Sequence, residues 1–366
     1  MDVTVSVERQ PDSAGGPPPD PARFFDAVLD VFQQASAGRL IEHRYRIGGK
    51  AVLMRFAGAA MAERFSPAIG HLSDKSPADQ KHEPDLTVHF FDDRSTGARM
   101  PPAPWPPEAH GQRGVIQGYN DDRFFTTYEI GIDILQMFDA KRNAGIYWVR
   151  DYEWIPYWEN SFPMRSILHW RFRNEPLQAI HAGAVGNASG GVLIAGKSGS
   201  GKSTTTLACL TSGLLYAGDD YVLADISAEP YVHSLYSTAK LVPDNCVRFP
   251  QLTPLVSNPD KLDEQKALIY LREHFPDSIV RGLPLRAILL PRVTGLPNTR
   301  LVKAGGMDAF RAIAPTTLLH LTRATDEAAR KISTLCRSLP VYWLEAGTDL
   351  PQIPQVISEF LKSGAR

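Results

Sequence analysis

Gly196-Lys197-Ser198-Gly199-Ser200-Gly201-Lys202-Ser203-Thr204 fits G-x-x-x-x-G-K-[ST], a run of residue types suited to holding a triphosphate. The glycines let the backbone curl its N–H groups around a phosphate, Lys202 is long enough to reach the outer phosphates, and the Ser203 hydroxyl can ligate Mg2+. Asp219 and Asp220 follow Lys202 by 17 and 18 residues, an interval that one short helix and a turn would fill, returning both carboxylates to the loop. A carboxylate pair beside Mg2+·ATP divides into two roles, one held on the metal and one placed to take a proton from an attacking hydroxyl. Gly218-Asp219-Asp220 is equally good turn chemistry.

The flanking sequence supplies the elements that would position these groups. Gly191 to Ala195 is a short apolar, β-branched run bounded by glycines, which predicts a buried strand entering the loop. Thr204 to Ser212 carries Leu207, Ala208 and Leu210 and ends before Gly213, which predicts a three-turn helix with its positive N-terminal end at the phosphates. Upstream, Ile180 to Val185 reads as a strand, and Gly186 to Gly191 is rich in turn residues. A hairpin with Gly186 opposite Gly191 makes paired positions sum to 377, which puts His181 opposite Gly196. There it would touch bound phosphate or a neighbouring carboxylate, unless it is a hydrogen-bonded structural histidine. The loop by itself leaves the reaction open, because kinases, GTPases, transport ATPases and inactive binders share it.

Taken together, His181-Ala182-Gly183, the Gly191–Ala195 strand, the loop, and Tyr216-Ala217-Gly218-Asp219-Asp220-Tyr221-Val222-Leu223 resemble the catalytic core of the HPr kinase/phosphorylase family. The resemblance covers roughly residues 178 to 225. It implies an α/β domain of the phosphoenolpyruvate carboxykinase-like type, with ATP and Mg2+ as cofactors. It further implies residues 196 to 204 around the nucleotide, Lys202 on its phosphates, Ser203 and Asp220 on Mg2+, Asp219 as base for an acceptor serine, and His181 tuning Asp219. The family's downstream signature, a Glu shortly before an Arg-Gly pair, is not matched: Arg281-Gly282 follows Ser278-Ile279-Val280 with no acidic residue, so phosphorylase activity and HPr itself as substrate are not implied. The function expected is transfer of a γ-phosphoryl group to a serine of a protein or peptide. A free-serine or sugar kinase and a non-catalytic nucleotide-binding regulator are the alternatives, and family analogy adds a homo-oligomer.

The remaining sequence divides into a Pro/Gly-rich arm over residues 1–21, an α+β domain over 22–165, and the loop-bearing domain over 166–366. In the first domain the patterns predict helices over Ala22–Ala37 and Ala59–Leu72, a hairpin turning at Gly48-Gly49, and strands at Asp85–Phe91, Phe124–Tyr128 and Gly145–Val149. Five prolines between Met100 and His110 predict a surface loop. Ser161–Arg173 reads as one helix into the second domain, where a strand over Ala287–Pro291 and helices over Pro315–Leu321 and Gln352–Lys362 are expected. Tyr147, Trp148, Tyr152, Trp154, Tyr157 and Trp158 read as packing between the two halves, with a stacking surface as the alternative. Tyr236–Lys240 and Lys261–Arg272 supply polar and basic residues that are candidates to face the acceptor, with most of them expected to be ordinary surface.

Composition excludes several classes. Lys and Arg total 39 against 40 Asp and Glu, so no basic footprint for nucleic acid exists. No apolar run approaches the roughly 20 residues of a membrane helix. Three isolated cysteines, Cys209, Cys246 and Cys336, suit a reducing cytoplasm, and the ten histidines lack zinc-site spacing.

Overall fold

A computed structural model describes residues 19–74 and 82–364. The arm expected over residues 1–21 lies almost wholly outside the described residues. Its last residues belong to the first helix, α1 (Pro21–Ser36), where proline occupies a first-turn position and the Asp20 carboxylate accepts the Arg23 amide. The chain continues through β1 (Leu40–Ile47), β2 (Lys50–Ala57), α2 (Ala59–Ile69), β3 (Leu86–Asp92), α3 (Asp93–Thr96), β4 (Phe124–Glu129), β5 (Ile134–Asp139) and β6 (Ala144–Val149). These strands form a sheet in the order β1-β2-β3-β6-β5-β4, mixed rather than antiparallel because β3 runs parallel to both β2 and β6. Gly48 and Gly49 both have positive φ, 56° and 79°, so the β1–β2 turn needs only two residues. Strand alternation sends neighbouring residues to opposite faces. Trp148 packs with Phe24, Val28 and Phe32 of α1, whereas Tyr147 packs with Phe65 of α2 and Phe90. The expected surface loop at residues 100–110 is irregular but not wholly superficial, because Trp105 is buried edge-on against Phe24.

The single helix expected over residues 161–173 is two: α4 (Tyr157–Ser161) and α5 (Arg165–Phe172). Pro163 cannot donate in a helix interior and Met164 takes a left-handed conformation at φ 51°, so the chain turns a corner between them. Beyond it come β7 (Leu177–Ile180), β8 (Ala182–Asn187), β9 (Gly190–Ala195), α6 (Lys202–Thr211), β10 (Leu215–Gly218), β11 (Val222–Asp225), β12 (Tyr231–Ser234), β13 (Thr238–Leu241) and β14 (Ala267–Tyr270). The chain closes with β15 (Gly282–Val293), β16 (Arg300–Ala304), α7 (Gly306–Leu318), α8 (Asp326–Ser338), β17 (Val341–Ala346) and α9 (Gln352–Lys362). A nine-stranded sheet runs β10-β8-β9-β15-β12-β11-β7, with β17 parallel to the second half of β15 and β16 on β17. β9, β15 and β17 form its parallel centre, with β9 and the middle of β15 buried on both faces. α6 and α9 cover one face and α7 and α8 the other, so the second half is a layered, mixed α/β structure.

The two halves share an apolar cluster. Phe56, Phe65 and Phe90 pack in one group with Leu177, Leu223, Leu235 and Tyr236. A Cβ added at Gly48 would lie 2.6 Å from Leu223 Cδ2, so the first hairpin's tip sits directly on the second sheet. Ser237 donates its amide to the Ala68 carbonyl at 2.8 Å, and His71 pairs with the Ser234 hydroxyl at 2.6 Å. Among the described residues no helix is long and apolar enough to cross a membrane.

His169, on α5, is 7% exposed, and burial pushes its imidazole down to about 4. An unfolded histidine takes up its proton near pH 6.5, so between pH 6.5 and 4 the unfolded chain binds more protons than the folded one. The contribution of neutral His169 is whole above pH 6.5 and is lost as pH falls, by about 2 kcal/mol at pH 5. His169→Leu removes that loss. Its unfolding free energy relative to wild type, measured in urea, should therefore rise by about 2 kcal/mol between pH 7.5 and 5. An unchanged difference would mean that His169 is protonated in the folded state.

Candidate active site

Two chain crossings at the same level of the nine-stranded sheet assemble the site. β8 and β9 pair Gly186 with Gly191 and Ala182 with Ala195, the register in which positions sum to 377, so His181 enters the sheet one step before β8 at the level of the loop. On the neighbouring strands Val222 pairs with Ile180 and Gly218 with Ala184. Asp219-Asp220-Tyr221 therefore spans the gap between β10 and β11 just where His181 spans that between β7 and β8. Gly183 makes this approach possible: a Cβ there would lie 2.4 Å from Thr206 Cγ2 and 3.4 Å from Asp219 Oδ1.

The glycine loop leads from β9 into α6, whose first residue is Lys202. Gly199 and Gly201 have φ of 78° and 102°, conformations that favour glycine. Lys197, Ser198 and Gly199 are exposed, whereas Lys202 is buried and donates from Nζ to the carbonyls of Gly196 at 2.8 Å and Lys197 at 3.3 Å. The lysine thus spans its own loop. Burial lowers its pKa, against the pull of Asp219 and Asp220.

The two aspartates occupy different environments. Asp219 is 1% exposed, and neither carboxylate oxygen has a hydrogen-bond partner of good geometry. Burial and the charge of Asp220 push its carboxyl up to about 7, with the nearby Ser203 hydroxyl and Lys202 working against the rise. Asp220 has φ 66°, and the Tyr221 amide donates across it to the Asp219 carbonyl at 2.8 Å, a tight γ-turn that turns its side chain into the cavity. Burial alone would raise its pKa, but Lys240 and His181 outweigh that and hold it well below the usual carboxylate range. Lys240 Nζ lies 3.0 Å from Asp220 Oδ2, and His181 Nε2 lies 3.3 Å from Oδ1. His181 therefore pairs with Asp220, correcting the pairing with Asp219 that the family resemblance implied. The reason is the γ-turn, which swings the second carboxylate toward His181 and leaves the first against α6.

A cavity of about 740 Å3 opens at this site. Loop residues Ser198, Gly199 and Gly201 to Thr204 form part of its wall, with His181, Asp220, Tyr221 and Lys240. Residues before the second sheet supply another part: Tyr157 and Trp158 from α4, Phe162 from the corner and Arg165 from the start of α5. The six aromatics grouped in the sequence accordingly separate. Tyr147 and Trp148 are core residues of the first sheet, Trp154 is exposed, and Tyr157 and Trp158 face the cavity. A second cavity of about 240 Å3 shares Gly201, Thr204, Arg248 and Val293 with the first, and Thr205 and Ala346 to Thr348 line it further.

Lys240 belongs to a segment expected mostly at the surface, with facing the acceptor as the alternative, and it borders the cavity. It lies on β13, paired to Asp220 and with its ammonium 4.1 Å from the centre of the Phe162 ring. A lysine inside the otherwise apolar Ala239-Lys240-Leu241 was the available signal. Arg281, by contrast, lies outside both cavities and donates to the Ser73 carbonyl at 2.7 Å.

No family model and no curated protein matches the chain. Among solved structures, the Hpr(Ser) kinase/phosphatase from Coxiella burnetii is matched with 14% identity over 49% of this chain and 93% of that one. The TM-score is 0.29, too low to carry an argument about fold or activity. The geometry of the site carries the functional reading alone.

Proposed function

We propose that the protein is an ATP-dependent kinase of the HPr-kinase-like type, transferring the γ-phosphoryl group to a hydroxyl, foremost a serine of a protein or peptide. The observation that carries this reading is the convergence on one cavity of a phosphate loop and a carboxylate held anionic by Lys240 and His181, with a second, buried carboxylate beside the cavity-lining Ser203. Loop amides and Lys202 hold the phosphates, with Lys202 exchanging its carbonyl partners for them. The nucleoside occupies the smaller cavity next to Thr204 and Thr205.

Mg2+ fits the residues present. Among the described residues no group of three or more His, Cys, Asp or Glu could hold a metal ion, but Mg2+ needs only one or two protein oxygens beside water and phosphate. The unpartnered, fully buried oxygens of Asp219 beside Ser203 are such oxygens. Bound there, Mg2+ would neutralise charge on the phosphates. Asp220, which faces the cavity, is the group that orients the acceptor hydroxyl and takes its proton, and His181 and Lys240 fix its direction. The two aspartates thus exchange the roles carried over from the family. Asp219 is buried beside Ser203, whereas Asp220 is the aspartate that borders the cavity where an acceptor would sit.

Calorimetric titration with Mg·ATP tests the first half of the proposal. Lys202→Met should weaken binding by about a hundredfold or more, the loss of charge-assisted contacts to two phosphates. Equal affinity in wild type and variant would remove the loop from the mechanism.

A further inference from the structure

We infer that the cavity wall at the α4–α5 corner carries a second anion site, built on Arg165 with His320, and that the acceptor bears a carboxylate or phosphate close to its reacting hydroxyl. The inference rests on the kinase reading for the word acceptor, but the anion site itself does not. Arg165 is enclosed by protein except where it faces the cavity. Guanidinium groups in such positions are ordinarily paired with carboxylates. Among the described residues Arg165 forms no ion pair, and it makes one hydrogen bond, from Nη1 to the Tyr221 hydroxyl at 3.0 Å. Glu159 and Glu129 attract it only from beyond contact, and Glu159 already accepts from the Tyr147 hydroxyl at 2.6 Å. A guanidinium has five donors in a planar fork that matches carboxylate and phosphate oxygens, so most of this one's capacity is unused.

The surroundings are cationic where they are not already neutralised. Asp220 has one oxygen on His181 and the other on Lys240. Arg165, Lys202, Arg248 and Lys266 also border the cavity, as does His320, whose pKa burial and the neighbouring His181 and Arg165 lower, so that it offers a ring N–H rather than a charge. His320 stands edge-on to His181 with ring centres 5.3 Å apart, and His181 stacks on Tyr221 at 5.3 Å. Arg165 holds the hydroxyl of that same Tyr221, so an anion on Arg165 would lie two stacked rings from Asp220. That arrangement suits an acceptor that presents a hydroxyl to Asp220 and an anionic group to Arg165 from one molecule.

Sulfate, titrated calorimetrically into the full chain, is the first probe. Because sulfate also suits the phosphate loop, the reference is Lys202→Met, which should retain one sulfate. Adding Arg165→Gln to it should weaken that sulfate at least tenfold. Adding His320→Glu instead should do the same without disturbing a buried residue, which guards against misfolding of the arginine variant. Unchanged sulfate binding in both double variants would overturn the anion site. The second probe is a pair of serine peptides differing only in Asp or Asn beside the serine, assayed for transfer with Mg·ATP. Wild type should prefer the Asp peptide by at least tenfold in kcat/KM, and Arg165→Gln should not. Sulfate binding with transfer but no preference would assign the site to a free anion and overturn the acceptor half. An intact sulfate site with no transfer to any acceptor would instead count against the kinase reading.

Discussion

Asp220→Asn should lower the rate of phosphoryl transfer by about a thousandfold while leaving Mg·ATP affinity within a few-fold, since a positioned general base is worth on the order of 10²–10⁴. Asp219→Asn should show the other pattern, with Mg2+-dependent nucleotide affinity lost first and transfer recovering in part at high Mg2+. The expectation follows from the two environments. Asp220 faces the cavity and is held anionic by Lys240 and His181, whereas Asp219 is sealed beside Ser203 with unpartnered oxygens. Single-turnover transfer and calorimetric Mg·ATP titration of both variants separate the roles. If Asp219→Asn abolishes transfer at unchanged Mg·ATP affinity, the base is Asp219.

Lys240→Met should destabilise the protein by about 3 kcal/mol, because removing one member of a buried pair strands the other charge. The relevant carboxylate is largely enclosed: the side chains of Lys240 and Asp220 are 12% and 17% exposed. Transfer should fall with stability, since Asp220 would lose the cation that fixes one of its oxygens. Adding Asp220→Asn removes the stranded charge, so the double variant should be more stable than Lys240→Met by about 1–3 kcal/mol. Urea unfolding of the four proteins measures this coupling. Additive effects within about 0.5 kcal/mol would show that the contact contributes nothing net.

Elements whose signals are local were legible in the chain. The two-residue turn at Gly48-Gly49, the amphipathic α1 and α9, and the strand entering the glycine loop all carry their period or turn chemistry within a few residues. α7 begins well before the predicted Pro315, at Gly306, and α8 was not predicted at all. The joined helix at residues 161–173 failed at a residue that announces itself, since Pro163 was read through rather than as a break. Parallel pairing of β3 with β2 and β6 is a matter of non-local topology and left no mark in the local pattern.

The sequence by itself determined the phosphate-loop pattern, the strand and helix around it, and the register of the hairpin that brings His181 beside it. Glycines at both ends of a short turn leave β8 and β9 one pairing, and a strand's two-residue period carries that pairing along its length. Tertiary structure alone decided which of two adjacent aspartates faces the cavity. One positive φ at Asp220 turns neighbouring carboxylates in different directions, and Lys240, from another sheet, fixes the outcome. It also decided that Arg165, 31 residues ahead of the loop's first glycine, borders the same cavity as Lys202. Such contacts depend on how sheets and helices stack rather than on spacing along the chain, so no pattern of residue types foretells them.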